Sequence, residues 1–159
     1  MMESILTQLG AAFFGSIGFA LILKIRGRQI LYAGLGGLVT WGIYLIAYQM
    51  IGSDFLANLM AAVFVAIYAE VMARVNRAPA TIFLTAAAVP LIPGGRLYYT
   101  MFGLVREDQA MFVENGTTAV IIALAISLGF VFVAVVNKYV NRFLYGRKQK
   151  RLAGETRGE

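Results

Sequence analysis

Neither cysteine nor histidine occurs in the 159 residues. Without cysteine the chain has no disulfides, no thiolate ligands for an iron–sulfur cluster and no thiol nucleophile, and without histidine it lacks the usual general base and the commonest metal ligand. Charge is scarce too. Only 14% of the residues are charged against 60% hydrophobic, which would leave a soluble chain of this size with more apolar surface than water tolerates. No paired-aspartate metal motif and no nucleophile beside a base is present, so neither an enzyme, a lipid-modifying one included, nor a cofactor or metal site is expected. The net charge of +6 does not point to nucleic acid, because the basic residues stand between and after apolar runs rather than on a soluble face with interleaved aromatics.

What the chain has in abundance is apolar runs, at 4–23, 30–51, 55–75, 80–104 and 115–136. Each is about 20 residues long, enough to cross about 30 Å of hydrocarbon at about 1.5 Å per residue. The pattern predicts an all-α integral membrane protein of about five transmembrane helices, with one membrane domain over 1–137 and a basic cytoplasmic tail over 138–159. The first run lacks a basic leader and exceeds a signal-peptide core, so it reads as a permanent helix. Lys24, Arg26 and Arg28 follow the first run, and Arg74 and Arg77 close the third. Lys138, Arg142, Arg147, Lys148, Lys150, Arg151 and Arg157 follow the fifth. The intervening connections carry Asp54 in one case and Arg106, Glu107, Asp108 and Glu114 in the other. Basic residues favour the cytoplasmic side, which puts the N-terminus outside and the C-terminus inside, and requires the fourth run to cross fully.

Small residues recur four apart as Ala12, Ser16 and Ala20, as Ala33 and Gly37, as Ala62 and Ala66, and as Ala119 and Ala123. Such stripes let helix backbones approach closely, first within the chain and then in self-association or with a partner. An odd number of spans does not divide into two inverted halves, so a transporter built on pseudo-symmetry would need another polypeptide or copy.

Two segments carry polar chemistry inside the apolar runs. Glu70, Arg74 and Arg77 share one helical face with acid preceding base, and Glu70 lies about 10 Å along the helix from Arg77. The pattern suits a coupling carboxylate in the membrane, and equally a structural ion pair whose arginines snorkel to the phosphates. The fourth run contains Pro90, Pro93, Gly94, Gly95 and Arg96. The prolines remove backbone donors and clash with the preceding turn, so the helix should break there, near mid-membrane and about 20 Å from the turn at 77–79. Broken backbone at that depth is tolerated when it lines a cavity, and the new helix start would offer free amides to an anionic group. Arg96 adds a full charge, and Thr85, Tyr98, Tyr99 and Thr100 supply hydroxyls for a small carboxylate-bearing solute. The bland alternative is a packing kink. Trp41, Tyr44 and Tyr48 read as an interfacial aromatic belt, and Asn115 or Thr117 as the cap of the fifth helix.

In order and spacing, Ala69-Glu70 with Ala73-Arg74, then Pro79-Ala80-Thr81-Ile82-Phe83, then Pro90-Leu91-Ile92-Pro93-Gly94-Gly95 and Tyr98, resemble the threonine/serine exporter family. The likeness is to its small membrane subunit, equivalent to the C-terminal membrane half of single-chain exporters. The resemblance implies export of small hydrophilic metabolites such as threonine and serine, or dicarboxylates such as succinate, across the bacterial cytoplasmic (inner) membrane, together with a larger membrane partner subunit. It makes Glu70, Arg74, Pro90, Pro93, Gly94 and Tyr98 motif residues, whereas Arg96 and Tyr99 come from the physical reading. The expectation is a secondary-exporter subunit in which the break binds the solute and Glu70 couples transport to protons. The other class open to the sequence is a non-catalytic assembly or scaffold subunit.

Overall fold

A computed structural model describes residues 2–155, and these residues are helical apart from short connections. α1 (Met2–Ile22), α2 (Gln29–Ile51) and α3 (Asp54–Asn76) coincide with the first three apolar runs to within a residue or two. Their ends follow from local chemistry. Gly52 takes the left-handed conformation that closes α2, its N–H bonding to the Tyr48 carbonyl at 2.8 Å, and Ser53 caps α3.

The fourth run is two helices. α4 (Ala80–Ala88) passes into a 3₁₀ turn (Val89–Leu91), and α5 (Gly94–Val105) leaves at an angle of 54°. Pro90 and Pro93 lack the N–H groups that would continue the ladder. The Val89 carbonyl instead takes the Ile92 N–H at 3.1 Å, tightening the turn. Among the described residues four helices are long and apolar enough to cross a membrane, and five crossings result when the bent pair counts as one. Along the α4 direction the first part advances about 20 Å and α5, at its 54° angle, about 11 Å more, close to the hydrocarbon thickness.

α6 (Gln109–Glu155) begins before the expected 115 and runs on as one helix well past 136, its apolar stretch ending at Val140. Its start is fixed by Asp108, whose carboxylate accepts the Met111 N–H at 3.0 Å. The cap expected from Asn115 or Thr117 therefore lies earlier, and Asn115 sits inside the helix with its amide Nδ2 donating to the Met111 carbonyl at 2.9 Å. Arg157 and residues 156–159 of the expected tail lie outside the described residues.

α3 is central, packed on α2, α4 and α6, while α1 lies on α2 and α5 on α6. The contacts run through small residues: Ala57, Ala61, Ala62, Ala66 and Ala69 of α3 are all buried. Without a hydrophobic force between helices in lipid, this close backbone approach supplies the packing energy. The stripe of Ala12, Ser16 and Ala20 is buried on α1, so intrachain packing uses it. Gly37 faces it: a Cβ there would collide with Ser16 Oγ and lie 3.3 Å from the Ala12 carbonyl. Gly37→Leu is therefore expected to cost about 1–3 kcal/mol by overpacking and to lower the thermal midpoint of the purified protein by several degrees, whereas Gly10→Leu, with open space around it, should leave the midpoint unchanged.

Candidate functional site

The break between α4 and α5 opens one wall of a cavity of about 310 Å³. Pro90, Leu91, Ile92, Pro93, Gly94, Gly95, Arg96 and Tyr99 form that wall, and Trp41 and Tyr44 of α2, Asp54 and Asn58 of α3 and Ile122 of α6 form the others. The volume is at the small end of ligand pockets, suited to a solute of few heavy atoms.

Its charges are placed by the helix starts. Asp54 opens α3 and Arg96 stands in the first turn of α5, and the two face each other with Nη2 to Oδ2 at 3.8 Å. Arg96 Nη1 also donates to Asn115 Oδ1 at 3.3 Å. The phenol of Tyr44 donates to Asp54 Oδ1 at 3.0 Å. Trp41 stacks on Tyr44 with ring centroids 4.7 Å apart, and its indole N–H donates to Gln8 Oε1 of α1 at 3.2 Å. A chain of side chains thus links α1, α2, α3, α5 and α6 around one cavity. At the start of α5 the Gly94 N–H is held by the Ile92 carbonyl at 2.7 Å, while the amides of Gly95 and Arg96 precede any carbonyl of their own helix.

Of the residues expected at the break, Tyr98 does not line the cavity; it stands on the outer face of α5, stacked on Phe102 at 6.0 Å. Thr85 and Thr100 do not line the cavity either, and each donates its hydroxyl proton to the carbonyl one turn back, Thr81 and Arg96 respectively. The depth differs as well. The cavity faces the first turns of α3, so it lies toward the α2–α3 end of the bundle rather than at mid-span, because the count of about 20 Å to Gly94 is more than half of the roughly 34 Å of α3.

Glu70 and Arg74 form a separate place. They line a groove of about 220 Å³ between α3 and α6 with Ile67, Val71, Val133, Val136, Asn137 and Val140. Arg74 Nη2 donates to Asn137 Oδ1 at 2.8 Å. The rise of α3 puts Glu70 about 24 Å from Asp54, so the two sites do not touch.

The spacing of residues did not identify Asp54, Tyr44, Trp41, Asn58 or Asn115. Asp54 reads as a loop charge, Trp41 and Tyr44 as belt residues and Asn115 as a cap, whereas the fold turns all of them inward. Only Tyr48 keeps an exposed, belt-like place. The available signal was Asp54 and Asn58 at i and i+4 at the start of a helix that is then apolar as far as Ile67.

Apolar helices able to cross a membrane, with a solute-sized cavity that carries a few polar and charged side chains at a broken one, make the architecture of a multi-pass membrane transporter. Residues 8–136 match the family model described as threonine/serine exporter, ThrE, and the chain belongs to that family. The matched stretch holds every residue of the cavity wall, and Glu70 and Arg74 of the groove. No solved structure matches the chain.

Proposed function

We propose that this chain is a membrane subunit of a secondary exporter for small zwitterionic amino acids of the threonine/serine kind. The observation that carries this reading is Arg96 and Asp54 facing each other across one cavity at the start of α5. The guanidinium and the amides of Gly95 and Arg96 receive the solute carboxylate. The Asp54 carboxylate, with the faces of Tyr44 and Trp41, receives the ammonium. At 3.8 Å the pair is open enough for the two ends of a zwitterion to replace it. A dicarboxylate such as succinate would leave its second carboxylate against Asp54, so the amino acid is the better match.

Glu70, half-buried in its own groove, is the coupling carboxylate, and protons move there at a distance from the solute. The larger membrane partner is inferred from the family resemblance and from the odd number of crossings. In the same reading the bent pair is one crossing, the N-terminus lies outside and the C-terminus in the cytoplasm of a bacterium.

Counterflow in liposomes holding the chain and its larger partner tests the proposal. Serine and threonine should exchange and succinate should not. Glu70→Gln should keep exchange at equal pH but lose accumulation driven by a pH gradient. Exchange of succinate without serine would overturn the solute assignment, and gradient-driven accumulation by Glu70→Gln would overturn the coupling role.

A further inference from the structure

Asn58 is only 3% exposed, yet it belongs to the cavity wall. Its Nδ2 donates to the Asp54 carbonyl at 2.8 Å, which fixes the amide, since the NH₂ must face an acceptor and Oδ1 then occupies the other branch. Among the described residues Oδ1 has no hydrogen-bond partner, and it is not one of the fully enclosed unpaired atoms. Asn58 lines the cavity, and Oδ1, not fully enclosed, is the branch of its amide left to meet an occupant. A buried acceptor of this kind is costly when unpaired, so an occupant that brings a donor gains over one that does not.

We infer that Asn58 selects for a hydroxyl on the solute side chain, its Oδ1 accepting a hydrogen bond from the β-hydroxyl of a bound hydroxy-amino acid. The inference rests on reading the cavity as an amino-acid site. Asp54 and Asn58 stand one turn apart on the same face of α3, about 6 Å along the axis. An ammonium and a hydroxyl on neighbouring carbons address these two consecutive positions. Leu91 and Ile122, buried in the same wall, give the extra methyl of threonine an apolar neighbour, so serine and threonine are both accommodated. The analogues without the hydroxyl, alanine and 2-aminobutyrate, leave Oδ1 unpaired. A site built around a hydroxyl rejects such analogues more strongly than an apolar pocket rejects a missing methylene.

Calorimetric titration of the full chain in lipid nanodiscs tests this, because Asp54, Asn58 and Arg96, the residues that the inference uses, all belong to this chain. The four ligands are L-serine, L-alanine, L-threonine and L-2-aminobutyrate. The unaltered protein should bind each hydroxylated member about ten- to a hundredfold more tightly than its partner. Asn58→Ala should bring both ratios to within about twofold of unity while alanine affinity is kept, which also reports that the variant is folded. Ratios near one in the unaltered protein overturn the inference whatever the variant does. A variant that weakens all four ligands equally also overturns it, since Asn58 would then hold the ammonium or the fold. Arg96→Ala separates the two levels of the argument. If it abolishes binding of all four while Asn58→Ala keeps the ratios of the unaltered protein, the amino-acid site stands and the role of Asn58 falls. If none of the four binds the unaltered protein, the site assignment itself falls.

Discussion

Asp54→Asn is expected to weaken serine binding about tenfold, to slow serine export accordingly and to leave the helices packed. The substitution keeps an oxygen to accept the Tyr44 hydroxyl, now 3.0 Å from Oδ1, and keeps the backbone carbonyl to which Asn58 donates. It removes the negative charge that balances Arg96 and binds the ammonium. Hydrogen bonds to charged groups contribute about 1.5–3 kcal/mol, so affinity should fall about ten- to over a hundredfold. The upper part of that range is not expected, because Asp54 is 26% and Arg96 42% exposed and water screens part of the loss. Arg96→Ala should lose at least as much through the carboxylate. Export by Asp54→Asn at the unaltered rate from cells that also make the partner would remove Asp54 from the site.

Gly103→Val should destroy the site without touching it. A Cβ at Gly103 would lie 2.7 Å from the Phe112 backbone nitrogen, 3.1 Å from the Asp108 carbonyl oxygen and 3.2 Å from the Met111 carbonyl carbon. All three are backbone atoms in the turn that folds α5 against α6, and none gives way as a flexible side chain does. That packing delivers Asn115 to Arg96, so forcing the helices apart loosens the guanidinium from its 3.3 Å partner. Overpacking of this kind costs about 1–3 kcal/mol, or about 2–12 °C in thermal midpoint for a chain of this size. The chain has no cysteine, so a single cysteine introduced as Tyr99→Cys reports the site cleanly by thiol labelling. Gly103→Val should accelerate that labelling. An unchanged midpoint and labelling rate would show that the α5–α6 turn has slack.

These two cases also show what was legible in the sequence. The spans were readable because in lipid the apolar content alone sets where helices run, and the α2–α3 boundary carried its own signal in Gly52 and Ser53. The break was readable because Pro90 and Pro93 forbid the helical ladder whatever surrounds them. Its partners were not. Asp54 lies in a short connection, where an acid ordinarily faces water, and only the bend of α5 brings Arg96 onto it. Trp41 and Tyr44 have the composition of a membrane belt, and nothing in their spacing says which face of α2 meets the cavity. Tyr98 failed in the opposite direction: it follows the break by few residues, but helical rotation carries it to the outer face while Tyr99 lines the wall. The i, i+4 spacing of Glu70 and Arg74 left a coupling carboxylate and a structural ion pair equally open, and it could not suggest Asn137 on α6, to which Arg74 donates.

The central claim is that the cavity at the break binds both ends of an amino acid. The chain has one tryptophan, Trp41, and it stands in the cavity wall stacked on Tyr44 and bonded to Gln8. Its fluorescence is therefore a direct reporter. Titration of the purified chain in nanodiscs with L-serine should change Trp41 emission saturably, whereas ethanolamine and glycolate, which each carry one of the two charged ends, should produce no saturable change over the same concentrations. An equal response to all three, or a response to glycolate alone, would contradict the account.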